Sequence, residues 1–172
     1  MATQQVLTKF GATTTWTDSG GDKLMDLGSL ATGQLIMGAY LDLGVSPRAT
    51  LYSFELTIDG FDTTPVVGET VTLRFSQSNA TTNFDGNPTT DPTTSAEGTI
   101  QPNQAKNCLL AGVATVYSAT AADELKISGI VELFGRYVSP VVENNTADAL
   151  LGTSDNHELV LTPVSQDIQP SA

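Results

Sequence analysis

The sequence predicts an all-β protein, an antiparallel β-sandwich of the jelly-roll type, on three observations. Apolar and polar residues alternate with a period of two in several short segments, as in strands with one buried face. Threonine, a β-branched residue that favours strands, occurs 25 times. Clusters of Gly, Asn, Asp and Ser separate the segments and favour turns. Short strands punctuated in this way are typical of sandwiches and barrels.

The alternation predicts about eight strands. The clearest lies in 49–59, where Tyr52, Phe54, Leu56 and Ile58 face one side and Leu51 faces the other. Pro140 lacks an N–H donor, which predicts an edge or a bulge for its strand. Short helical turns are expected near 103–106 and 121–124. The predicted strands are 13–16, 34–43, 49–59, 69–76, 109–117, 125–134, 136–143 and 158–163.

The length of 172 residues predicts a single domain, 1–172. Residues 76–104 interrupt the strand pattern, because they are rich in Thr, Asn, Asp, Gly and Pro and hold almost no aliphatic side chains. A loop of this length is uncommon in a compact domain. It is either a mobile surface excursion or an arm that orders against a neighbouring molecule. The segments 1–10 and 164–172 are expected to be extended arms.

Charge and composition exclude several classes of function. Seven basic and nineteen acidic residues give a net charge of −12, which argues against nucleic-acid binding and against docking on anionic lipid. No segment is long and apolar enough for a membrane span, and none resembles a signal peptide. We therefore expect a soluble protein made in a cytoplasm.

The sequence offers few groups for catalysis. His157, the only histidine, is expected in an exposed turn, and Cys108, the only cysteine, is expected in the core. The segments 18–22 and 83–87 gather oxygen ligands near glycines, but neither has the spacing of a calcium loop, and Asx-type turns explain both. Phosphate-loop, dinucleotide and nucleophile-elbow motifs are absent. We therefore predict no enzymatic activity, cofactor or metal, and a hydrolase is the least favoured class.

Four segments resemble a group of small proteins encoded beside the major capsid gene of tailed bacteriophages. These are FGATTTW at 10–16, TPVVGETV at 64–71, GRYVSPVVENNTA at 135–147, and LVLTPV at 159–164 followed by DIQ at 167–169. The resemblance covers most of the chain outside 76–104. It implies a head decoration, or cement, protein of the virion, and it carries over no catalytic residue.

This resemblance implies that the chain binds the outer capsid surface and stabilises capsomer junctions. The expected partners are the major capsid protein and further copies of the chain, with a trimer favoured. The arms and the long loop supply the candidate contact residues, which are Val6, Leu7, Phe10, Trp16, Phe84, Val164 and Ile168.

The alternative is a carbohydrate-binding or adhesion module displayed on a phage particle. Its binding face would use aromatic stacking, although the inward position predicted for Tyr52 counts against a shared platform. The candidate stacking residues are Trp16, Tyr40, Tyr52, Tyr117 and Tyr137.

Overall fold

The computed structural model describes residues 5–19, 21–45, 48–152 and 157–169, with the side chains of 5–7, 9 and 166–169 left undescribed. Within these residues the chain forms eleven strands and one four-residue helix, so the all-β prediction is confirmed. The elements are β1 (Gln5–Phe10), β2 (Thr14–Thr17), β3 (Lys23–Leu24), β4 (Leu35–Met37), β5 (Leu41–Asp42), β6 (Leu51–Ile58), β7 (Thr70–Ser78), α1 (Pro102–Ala105), β8 (Leu109–Thr115), β9 (Leu125–Glu132), β10 (Tyr137–Asn145) and β11 (Glu158–Gln169).

The strands build two sheets. Sheet A has the order β3-β2-β11-β6-β9, with β1 also paired to β11, and sheet B has the order β4-β10-β7-β8, with β5 also paired to β10. The antiparallel pairs β2–β11, β4–β10, β6–β9 and β7–β8 are nested along the chain, and they alternate between the sheets. Each pair therefore encloses the next one in the sequence.

One hydrophobic core joins the inner faces of the two sheets. Phe54 of sheet A packs edge-to-face on Phe75 of sheet B, with ring centroids 5.9 Å apart, a geometry that aromatic pairs prefer. In β6 the buried residues alternate with exposed or half-buried ones, as the sequence predicts. The same core includes Leu73 and Leu159, so both sheets contribute to it.

All eight predicted strands are present, although 34–43 is broken into β4 and β5 by Gly38, Ala39 and Tyr40. Strands β1 and β3 were not predicted from the sequence. Helix α1 matches the turn predicted near 103–106, and near 121–124 the chain makes a single turn, in which the Asp123 N–H donates to the Thr120 carbonyl at 3.1 Å. Among the described residues, no helix has the length and apolar character needed to cross a bilayer.

Pro140 does not lie on an edge strand, because β10 pairs with β7 on one side and with β4 and β5 on the other. The Gly38 N–H donates to the Pro140 carbonyl at 2.9 Å, so the side on which Pro140 lacks a donor faces the break between β4 and β5. The Ser139 hydroxyl donates to the Gly38 carbonyl at 2.5 Å. The neighbouring side chain thus replaces the missing N–H. The edge alternative is wrong, whereas the bulge alternative agrees with the register, which shifts by one residue opposite Pro140 between the pairs Met37–Val141 and Leu41–Val138.

The polar segment 79–101 packs against its own chain, which differs from a mobile surface excursion, while contact of this segment with a neighbouring molecule stays a prediction. The Tyr40 N–H donates to the Thr93 carbonyl, and the Gly98 N–H donates to the Met37 carbonyl, each at 2.9 Å. Phe84 and Ile100 of this segment are buried in a second apolar cluster. The segment therefore covers the outer face of sheet B.

This cover explains why β10 departs from alternation. Residues 137–142 are all buried, because Val138 and Val142 face the main core while Tyr137 and Val141 belong to the second cluster. A strand buried on both faces has a continuous run of apolar or small residues.

Candidate interaction surface

The two ends of the described chain form a two-stranded ribbon. Strand β6 pairs with β11 from Glu158 to Val164, and β1 pairs with β11 from Val164 to Gln169. Beyond Val164, the remaining five residues of β11 therefore pair with β1 and, among the described residues, with no other strand. At about 3.4 Å per residue these five residues extend about 17 Å beyond β6.

The register places two apolar pairs on one face of this terminal ribbon, with the polar pair Thr8–Gln166 between them. Val6 is opposite Ile168, and Phe10 is opposite Val164. Positions two or four apart on a strand share a face, so these four positions lie on the same side, and Leu7 lies on the other. The side chains of Val6, Leu7 and Ile168 lie outside the described set, and only their backbone pairing is known.

The apolar face continues from the ribbon onto sheet A. Val164 is also paired with Leu51 of β6, so Phe10, Val164 and Leu51 form one row across three adjacent strands. Phe10 is 67% exposed and Leu51 is 36% exposed, while Val164 is 9% exposed between them. We call this the Phe10 row. Leu51 was not among the contact residues predicted from the sequence, although the alternation in 49–59 places it outward.

Two predicted contact residues are core residues instead. Trp16 is completely buried, and its Nε1–H donates to the Ala39 carbonyl at 2.7 Å. Phe84 is 2% exposed and packs on Tyr40, with ring centroids 5.8 Å apart. Neither side chain is available at the surface, so both assignments are corrected.

The aromatic platform of the carbohydrate hypothesis is also not formed. Trp16, Tyr40, Tyr52 and Tyr137 are buried, and Tyr117 alone of the five is exposed, at 66%. Tyr40 and Tyr137 pack edge-to-face under the segment 79–101, with ring centroids 5.2 Å apart. Their rings serve packing between the sheet and its cover.

His157 lies in the interior, so the exposed turn predicted for it is wrong. Its Nδ1 accepts the Asp59 N–H at 3.0 Å, and its Nε2 lies 2.9 Å from the Leu151 carbonyl. The ring is therefore the neutral tautomer that donates from Nε2. Both nitrogens are occupied by backbone groups, and the imidazole joins β6 to the segment before β11.

Cys108 is buried, as the sequence predicts. Its thiol donates to the Asp85 carbonyl at 3.3 Å, and burial raises its pKa to about 11. Because the thiolate is the nucleophilic form, a thiol with this pKa is about one part in a thousand ionised at pH 8.

Cys108 should therefore react more than 100-fold more slowly with a maleimide in the folded protein than in denaturant at pH 8. The raised pKa and the burial both act in this direction. Stopped-flow labelling with and without urea measures the ratio. Equal rates in the two conditions would contradict the structural role assigned to this thiol.

Within the residues that the structure describes, no group of three or more His, Cys, Asp or Glu side chains is arranged to hold a metal ion. Comparison with known proteins adds no assignment, because no protein-family model and no curated protein matches the chain. The geometry of the described residues therefore carries the functional argument.

Proposed function

We propose that the chain is a decoration protein of a bacteriophage head, which attaches to the outer capsid surface through its terminal ribbon and the Phe10 row. The ribbon is the observation that carries this proposal. An isolated two-stranded ribbon is at best marginally stable in water, and a surface that covers its apolar face would stabilise it. The resemblance to proteins encoded beside capsid genes supports the capsid as that surface.

The charge distribution supports an adhesive role for this part of the chain. Lys9 and Asp167 are the charged residues of the two ribbon segments 5–10 and 164–169, so the ribbon has no net charge, whereas the whole chain has −12. Burial of a neutral apolar face avoids the desolvation that buried charges require. The acidic remainder keeps free subunits soluble and apart.

The strand order supports a jelly-roll interpretation of the sandwich. Nested antiparallel pairs that alternate between two sheets are consistent with two Greek keys wound together, an architecture found in viral capsid and lectin domains. Fold alone does not assign function. The proposal therefore rests on the terminal ribbon and the Phe10 row. It includes the trimer that is expected on the shell.

Binding to heads of the phage that encodes the chain tests this proposal. Phe10→Asp places a charge in the apolar row and should weaken binding at least about tenfold, which is about 1.4 kcal/mol. Because Phe10 is 67% exposed, the sandwich should remain folded. Co-sedimentation with heads that lack the protein measures binding, and thermal unfolding checks the fold.

Ser165→Asp is the matched control, since Ser165 is exposed and lies on the other face of the ribbon. It adds the same charge and should bind as wild type. Removal of residues 166–172 should also abolish binding, whereas a cut at residue 164 would enter sheet A because Val164 pairs with Leu51. If Phe10→Asp and the truncation both bind normally, the ribbon is not the attachment surface.

A further inference from the structure

A polar pocket lies at the end of β7. It has a volume of about 350 Å³ and is lined by Gln77, Ser78, Asn79, Asn83, Asp85, Phe134 and Gly135. Its size is within the range of small-molecule sites, whose lining is usually mostly apolar. Amide, hydroxyl and carboxylate side chains predominate among these residues, with Phe134 as the one aromatic residue, so the ligand that the pocket suits is rich in polar groups.

Hydrogen bonds to the backbone fix the direction of two amide side chains. The Gln77 Oε1 accepts the N–H groups of Phe134 and Gly135 at 2.8 and 3.0 Å, which leaves its Nε2 as the free donor. The Asn79 Oδ1 accepts the Arg136 N–H at 3.4 Å, which likewise leaves Nδ2. Among the described residues neither amide nitrogen has a hydrogen-bond partner.

The pocket also offers acceptors. The Asn83 Nδ2 donates to the Thr82 hydroxyl at 3.2 Å, so its Oδ1 is left to accept. The Asp85 carboxylate has no partner among the described residues, although the Asp85 N–H donates to the Gln77 carbonyl at 2.9 Å. Free donors and free acceptors therefore line the same pocket.

Phe134 is the aromatic residue of the lining. The residue is 65% exposed, while its backbone is held by Gln77 and by the guanidinium of Arg48, which donates to the Phe134 carbonyl. An exposed ring on a fixed backbone presents a flat face at little entropic cost.

The nearby cations are already paired. Arg136 donates to both carboxylate oxygens of Asp42, at 2.9 and 2.8 Å, and these hydrogen bonds lower the pKa of Asp42. Arg48 is directed at the Phe134 carbonyl. With the Asp85 carboxylate in its wall and no cation lining it, the pocket disfavours anionic ligands.

We propose that this pocket binds a neutral saccharide. Each sugar hydroxyl both donates and accepts a hydrogen bond, which matches the mixed donors and acceptors of Gln77, Asn79, Asn83 and Asp85. The C–H face of a pyranose ring would stack on Phe134. Its lining includes no residue of the terminal ribbon or of the Phe10 row, and it would let a particle-bound copy hold a glycan.

Titration with methyl glycosides, followed by NMR of the ¹⁵N-labelled full chain, tests the proposal. The panel contains neutral hexosides, N-acetylhexosaminides and uronic acids. At least one neutral glycoside should shift the amide signals of Phe134, Gly135 and Asp85, while the uronic acids bind more weakly. Phe134→Ala and Asp85→Ala should each raise the Kd of that glycoside about tenfold.

Tyr117→Ala is the matched control, because Tyr117 is an equally exposed aromatic residue outside the pocket, and this variant should bind as wild type. Phe10→Asp should also keep sugar binding, which separates this proposal from attachment through the ribbon. The proposal is overturned if no neutral glycoside shifts these amides, if both pocket variants bind normally, or if uronic acids bind more tightly.

Discussion

Trp16→Ala should bring the protein close to unfolding. The side chain is completely buried, and removal of a buried Trp costs about 3–5 kcal/mol. The lost indole N–H also leaves the Ala39 carbonyl without its donor, which adds about 1–3 kcal/mol. Domains are stable by about 5–15 kcal/mol in total, so the variant should lose a large part of its stability.

Urea unfolding followed by circular dichroism measures this loss without the tryptophan signal. Trp16→Phe keeps most of the buried area and should lose about 1–3 kcal/mol, mainly through the unpaired carbonyl. Tyr117→Ala is the control for removal of an exposed ring and should change stability by less than about 0.5 kcal/mol. A cost below about 1 kcal/mol for Trp16→Ala would contradict the placement of this residue between the sheets.

Phe84→Ala should release the segment 79–101 from sheet B. Phe84 is the aromatic residue of this segment in the second cluster, and it packs on Tyr40. Its removal should cost about 3–5 kcal/mol if the cover and the sandwich unfold together. If the segment 79–101 opens separately, the loss of stability appears first in the hydrogen bonds between this segment and sheet B.

Hydrogen exchange distinguishes these two results. The Tyr40 and Gly98 amides bridge the segment and the sheet, so their exchange should accelerate at least about tenfold in Phe84→Ala, which is about 1.4 kcal/mol of opening free energy. Phe134→Ala removes an exposed ring and should leave both amides protected. Unchanged exchange at Tyr40 and Gly98 in Phe84→Ala would show that the ring does not anchor the segment.

The alternation in the sequence was sufficient to predict eight strand segments, since a period of two is visible where one face of a strand is buried and the other is exposed to solvent. It did not reveal β1 or β3. It was insufficient for β10, where Tyr137, Val138, Val141 and Val142 are all buried. The run of apolar and small residues indicates burial on both faces, but Pro140 was interpreted as the sign of an edge or a bulge. Only the folded structure shows that Ser139 supplies the donor that Pro140 lacks.

The candidate surfaces were predicted less well, because exposure depends on packing between distant segments. Phe84 stands alone in a polar stretch, where an exposed contact residue and the anchor of a folded cover give the same local pattern. Phe10 and Val164 were selected from the sequence, but their pairing across β1 and β11 depends on a long-range register. The pocket combines β7, the segment 79–101 and the turn before β10, and no local spacing marks such a site.

The nested strand pairs have a consequence for the order of folding. Thr14 and Trp16 on β2 are aligned with Leu161 and Leu159 on β11, so sheet A is completed only when β11 is available. Such high contact order slows folding, because the entropy of closing long loops is lost before the stabilising contacts between distant strands form. On a ribosome, Trp16 would therefore remain without its β11 neighbour Leu159 until that strand has been synthesised. Refolding from urea should accordingly be slower than for a helical bundle of similar size.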